Sequence, residues 1–174
     1  RSCARNCTPV AELLPPPLAL YIHIPWCVKK CPYCDFNSHG RKTELPVADY
    51  LAALTRDLEQ DLPLVWGRTV HSVFFGGGTP SLFSGAAIGD ILSMASARLR
   101  FAPECEITLE CNPGTVEHDN FENYLRAGVN RLSFGVQSFA DGCLERLGRI
   151  HDAERARTAV SAAQAAGFSN INLD

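Results

Sequence analysis

Residues 106–111 read Glu106-Ile-Thr-Leu-Glu-Cys111, and the fold turns on how this hexapeptide is divided. An extended chain sends successive side chains to opposite faces. Ile107 and Leu109 then point one way, and Glu106, Thr108 and Glu110 the other. The same division recurs outward along the chain. Leu132, Phe134 and Val136 oppose Arg131, Ser133 and Gln137, while Ile171 and Leu173 oppose Asn170, Asn172 and Asp174. In the first such segment, Leu18 to Ile24, Leu20, Ile22 and Ile24 oppose Tyr21 and His23. Each is expected to be a strand with one apolar and one polar face.

Segments of helical period separate these strands. A helix predicted from Val47 to Leu62 sets Val47, Tyr50, Leu51, Leu54, Leu58 and Leu62 on one stripe. A strand from Val70 to Phe75 follows, then a helix carrying Ile88, Ile91, Leu92, Ala95 and Leu99. A short helix presents Phe121, Tyr124 and Leu125 before Gly128; an alanine-rich one runs from about Asp152 to Gly167. Regular alternation predicts an α/β fold, a parallel sheet with helices outside. Parallel sheets rarely leave a face bare, so the polar face is better read as lining a partly open barrel than as a solvated surface. Ligands of such folds gather at the carboxyl ends of strands. The residues at those ends are a cysteine loop after Ile24, Gly76-Gly77-Gly78, Glu110, Gln137 and Asp174.

The 174 residues, 46% apolar and 20% charged, suit a single core. A net charge of −3 supplies no basic surplus for nucleic acid, and no apolar run is long enough for a bilayer. Residues 1–17, with Cys3, Cys7 and Pro15-Pro16-Pro17, are expected to be a disordered leader. Residues 18–174 are expected to be the N-terminal portion of one core domain, and the protein is expected in the cytoplasm.

Eight cysteines are many for such a chain, and three of them crowd into eight residues as Cys27-x3-Cys31-x2-Cys34. Thiols that close make poor disulfide partners and natural metal ligands. Three thiolates can hold three irons of a [4Fe-4S] cubane and leave the fourth open. The amino and carboxylate groups of S-adenosylmethionine can chelate that open iron, and an electron from the cluster then cleaves the sulfonium to a 5′-deoxyadenosyl radical. A zinc site completed by His23 or His39 is the alternative, although zinc ligands more often come as two separated pairs. The glycine run allows close approach of a ligand to the backbone, or is simply a turn. Glu110, pointing inward, needs a donor, either from a ligand or from Arg131. Gln137 offers the same choice between ribose and a protein neighbour. Arg149 could grip a carboxylate bidentately or lie on the surface. Cys105, Cys111 and Cys143 read as small hydrophobes, the first two facing the helices and the third in a helix.

Tyr21-Ile-His-Ile-Pro-Trp-Cys-Val-Lys-Lys-Cys-Pro-Tyr-Cys-Asp-Phe-Asn-Ser-His39 resembles the radical-SAM family of oxygen-independent coproporphyrinogen III oxidases and their relatives. So do Phe74-Phe-Gly-Gly-Gly-Thr-Pro-Ser-Leu82, Ile107-Thr-Leu-Glu-Cys-Asn-Pro-Gly114, Arg131-Leu-Ser-Phe-Gly-Val-Gln-Ser-Phe139 and Leu147-Gly-Arg-Ile-His151. The resemblance implies a partial (β/α)6 TIM-type barrel, of which this chain would end within strand five. It implies Cys27, Cys31 and Cys34 as cluster ligands, with Tyr33 the aromatic before the last. Tyr21, Gly77, Gly78, Thr79, Glu110, Gln137, Arg149 and Asp174 match positions that bind S-adenosylmethionine. Oxidases of this family carry another cysteine two residues after the third ligand, where this chain has Phe36. Trp26 and Asp35-Phe-Asn-Ser38 instead resemble the family's haem-chaperone branch. That branch implies haem or porphyrin, a haem-acceptor protein and a reducing electron donor as partners. The other branch implies oxidative decarboxylation of coproporphyrinogen III. Cys111 stands where relatives commonly have a small residue such as alanine.

Overall fold

A computed structural model describes residues 15–40, 44–114 and 121–174. The expected leader lies mostly outside these residues, and Pro15–Pro17 carry no regular structure. The first strand is β1 (Leu18–Ile24), followed by a two-residue parallel pair, β2 (Trp26–Cys27) with β3 (His39–Gly40). Helix α1 (Val47–Val65) leads to β4 (Thr69–Gly77), and a 3-10 turn at Pro80–Leu82 leads to α2 (Gly85–Ser96). Then come β5 (Arg100–Cys111), α3 (Phe121–Ala127) and β6 (Arg131–Phe134). The chain closes with α4 (Asp141–Arg146), α5 (Ala153–Ala165) and β7 (Ile171–Leu173).

The sheet has the order β1-β4-β5-β6-β7 and every pairing is parallel. Its register explains the alternation. Ile22, Phe75, Leu109, Leu132 and Ile171 pair strand to strand as one apolar row across all five strands. Four of the five are at most 5% exposed, and Ile171 packs against them. Glu110, Ser133 and Asn172 form the corresponding polar row on the other face. The stripe of α1 and the buried Ile88, Ile91, Leu92 and Ala95 of α2 cover the apolar side. Caps mark the helix starts: Ser84 Oγ accepts from the Ala87 N–H at 3.2 Å, and Asp152 Oδ1 from the Arg155 N–H at 2.8 Å.

The largest differences from the expected bounds are at three places. The strand expected over residues 131–137 leaves the sheet at Phe134, because the Val136 N–H turns back to the Phe134 carbonyl at 2.9 Å and Gln137 adopts φ 69°. Strand β5 starts at Arg100, and the register shift between Val70 and Ser72 takes up its extra residues. Helix α1 continues through Pro63 for a last turn, since proline removes a donor there but keeps a helical φ. Cys143 falls in α4, a helix too short to leave a clear period. No helix among the described residues is long and apolar enough to cross a membrane.

Candidate functional site

The cysteine loop is anchored at both ends. Strand β2 pairs Trp26 with His39, and the His39 N–H reaches the Pro25 carbonyl at 2.7 Å. Inside the loop, Lys30 Nζ donates to the carbonyls of Phe36 (3.0 Å) and Ser38 (3.1 Å). His23 Nε2, from the inner face of β1, donates to the Asn37 carbonyl at 2.7 Å. The Cys34 N–H closes a turn on the Cys31 carbonyl at 3.1 Å. Cys27, Cys31 and Cys34 are all free thiols, Cys27 buried and the others half-buried. Together they border a cavity of about 300 Å³ at the carboxyl end of the sheet.

The glycine run forms another part of the cavity wall, with Thr79, but its own packing already requires glycine. A Cβ on Gly78 would lie 2.5 Å from the Trp26 carbonyl oxygen, and one on Gly76 2.9 Å from the Tyr21 ring. Gly77 combines φ +110° with the His23 ring 2.6 Å from any added Cβ. The side where a Cβ would stand is taken by Trp26, His23 and Tyr21, while Gly77 and Gly78 still border the cavity. What the run achieves is to bring the β4 end against the cysteine loop, through Gly78 N–H to Ile24 O (2.7 Å) and Thr79 N–H to Trp26 O (2.8 Å).

Glu110 faces the cavity from β5, and its Oε2 accepts from the Gly77 N–H at 3.2 Å. Burial pushes this carboxyl above the ordinary 4.5 and Asp174 adds to the effect; the Gly77 N–H and His23 oppose it. Arg131 is not its partner: it turns to Thr108 Oγ1 (3.3 Å) and Glu106 (4.0 Å). Gln137 and Asp174 also line the cavity, and the Gln137 N–H donates to the Asp174 carbonyl at 2.9 Å. Asp174 Oδ1 accepts from Asn172 Nδ2 at 2.6 Å and from Ser133 Oγ at 3.4 Å. The left-handed turn at Gln137 is what aims its side chain here, where strand parity alone had placed it.

Arg149 reaches the cavity from the turn after α4. Its Nη1 donates to Cys31 Sγ at 3.7 Å and to Tyr33 Oη at 3.4 Å, and its Nη2 donates to the Gly135 carbonyl. Both terminal nitrogens are thus engaged by protein, and the buried Nε is left without a partner. Burial raises the Tyr33 phenol above 10.0 despite the nearby guanidinium. Tyr21 is the one candidate outside the cavity wall. It is 56% exposed, stacks on Phe74 at 6.2 Å and shares a 3.0 Å hydrogen bond with His23 Nδ1.

Sequence reasoning did not single out Lys29, Asn112 and Ser133, which also line the cavity. The polar parity of Ser133 and the position of Asn112 at a strand end were the available signals. Cys111 is buried on the helix side as expected, yet it borders the same cavity. Burial raises its thiol far above the ordinary 9.0, so it stays protonated and is a poor ligand.

Three thiols on one loop, all bordering one cavity, are a donor set that could hold three irons of a cluster. His23 already has both ring nitrogens engaged. The Glu110 carboxyl offers the cavity an acceptor, and the Arg149 guanidinium brings positive charge to its wall.

Comparison with known proteins agrees with this geometry. The Radical SAM superfamily profile matches residues 21–174. The haem chaperone HemW of Escherichia coli is 56% identical over 159 residues, covering 91% of this chain and 42% of that protein. HemW of Bacillus subtilis is 37% identical, covering 88% of this chain and 41% of that protein. The solved coproporphyrinogen III oxidase HemN of Escherichia coli superposes with a TM-score of 0.81 at 33% identity, covering 91% of this chain and 36% of that one. The chain spans about two fifths of the length of the curated relatives it matches. Membership of this family implies an iron–sulfur cluster and S-adenosylmethionine as the groups served by such a cavity. With its parallel half-barrel, its thiol trio at the first strand end and a profile match from residue 21 to residue 174, the chain belongs to the radical SAM superfamily.

Proposed function

We propose that the chain forms the cluster- and S-adenosylmethionine-binding part of a haem chaperone, a protein that binds haem and hands it to acceptor proteins. The observation that carries this reading is the 56% identity to HemW of Escherichia coli, together with Phe36 in place of a fourth cysteine after Cys34. Cys27, Cys31 and Cys34 would hold a [4Fe-4S] cluster. Such a cluster, when bound with S-adenosylmethionine, supplies one-electron reduction of the sulfonium. The protein's own part is positional. The glycine run and β2 hold the thiols against the strand ends, Glu110 offers a carboxylate acceptor, and Gln137 and Asp174 offer polar edges for a ribose. Arg149 carries positive charge to the thiol side of the cavity. Three cysteines crowded into one loop suit metal binding in a reducing compartment better than disulfides, which supports a cytoplasmic location.

The HemN likeness favours a second reading, decarboxylation of coproporphyrinogen III. The full-length protein, reconstituted anaerobically with iron and sulfide, separates the two. Haem titration is expected to saturate at a defined stoichiometry without coproporphyrinogen turnover. Turnover without haem binding would replace the first reading with the second, and material that takes up zinc but not iron would remove both.

A further inference from the structure

We propose that Arg149 sets the electron affinity of the iron–sulfur centre through its contact with Cys31, a role that rests on the cluster-binding reading above. The contact is built by the fold. Gly148, just beyond the Leu147 cap of α4, adopts φ +70°, and a Cβ there would lie 2.8 Å from Pro32 Cδ, so this turn packs on the residue next to Cys31. The Arg149 N–H is tied to the Leu144 carbonyl at 2.9 Å, which holds the backbone from which the side chain projects. The guanidinium is held between the Gly135 carbonyl on one side and Tyr33 Oη, at 3.4 Å, on the other. Only then does Nη1 come 3.7 Å from Cys31 Sγ. A long cation held by both terminal nitrogens, with a buried Nε left over, is not a surface arginine.

The physical consequence follows from charge. A one-electron donor adds negative charge to a cluster, and part of it spreads onto the ligand sulfurs. A cationic N–H donor held at one of those sulfurs stabilises the reduced form more than the oxidised form. Hydrogen bonds to ligand atoms tune a metal centre in this way. Arginine keeps its charge in both states, so the electron arrives without a proton and the effect does not vary with pH.

The test is an anaerobic redox titration of the reconstituted full-length protein, followed by absorbance and electron paramagnetic resonance. Wild type is compared with Arg149→Gln, Arg149→Lys, Tyr33→Phe and Arg157→Gln. Arg149→Gln is expected to make reduction at least about tenfold less favourable, equivalent to about 59 mV for one electron. Arg149→Lys recovers part of the loss, and Tyr33→Phe gives a smaller shift in the same direction. Arg157 is exposed and lies over the Phe139 ring at 5.2 Å, outside the cavity wall, so Arg157→Gln is expected to shift the equilibrium by no more than about threefold. The proposal is overturned if Arg149→Gln takes up iron with an unchanged potential, or if Arg157→Gln shifts it equally. It is also overturned if both Arg149 variants fail to take up iron while Arg157→Gln succeeds, because the role is then structural. Wild type that takes up no iron removes the cluster reading itself, a separate result from a loaded protein indifferent to Arg149.

Discussion

Replacing Gly78 with alanine tests whether the glycine run serves the protein's own packing. Gly78 has no left-handed φ, so the substitution probes space alone. The new Cβ would sit 2.5 Å from the Trp26 carbonyl oxygen, 0.9 Å inside ordinary contact at 3.4 Å, and 2.8 and 2.9 Å from the Trp26 C and N. All three are backbone atoms and cannot rotate away. The Trp26 carbonyl also accepts from the Thr79 N–H at 2.8 Å, so pushing it aside disturbs that bond and the adjacent Cys27. Overpacking of this kind costs about 1–3 kcal/mol. For a chain of this size that lowers Tm by about 2–4 °C per kcal/mol. Thermal unfolding of the anaerobic, ligand-free protein should therefore show a drop of about 2–12 °C, with reduced iron uptake on reconstitution. Gly142→Ala is the matched control. Nothing lies within 4 Å of its Cβ and it sits inside α4, so alanine should stabilise by about 0.5–1 kcal/mol. A Gly78→Ala protein that melts with wild type, or a Gly142→Ala protein that falls as far, would refute the reasoning.

Glu110→Gln is expected to stabilise the ligand-free protein at neutral pH. Its raised folded pKa means that its stabilising contribution is complete below the ordinary 4.5 and is lost as pH rises through the raised value. The gain in Tm should fade toward pH 4.5, and an equal gain at both pH values would show the cause to be something else. His151 has the opposite sign. Burial lowers its pKa, and its Nε2 holds the Val136 carbonyl at 3.1 Å, so stability should fall as pH drops below 6.5 through the lowered value. His151→Gln keeps a donor and should flatten that slope in pH-dependent melting; an unchanged slope would clear His151. The buried Tyr124 hydroxyl bridges the Phe83 (2.7 Å) and Ser81 (3.0 Å) carbonyls, tying α3 to the turn after the glycine run. Tyr124→Phe should cost about 1–3 kcal/mol in urea unfolding, and a loss under about 0.5 kcal/mol would mean that water replaces the bond.

The residue pattern was sufficient for the sheet and its two faces. Side-chain alternation along Glu106–Cys111 and Arg131–Phe134 is a local property of extended chain, and one buried face pins the register. The thiol trio was equally legible, because its members share one short loop. Contacts decided by distant partners were not. Glu110 takes its hydrogen bond from a backbone N–H of β4 rather than from Arg131, two residues ahead of the Ser133 that pairs with it across the sheet. The glycine run makes way for Trp26 and His23, which only the parallel pairing of β1 with β4 brings alongside. Arg149 meets Cys31 across 118 residues of chain. Spacing and period describe what a residue does to its neighbours in sequence. Which polar groups face one another across a cavity depends on strand order, turn conformation and side-chain reach together, and those exist only once the strands have paired.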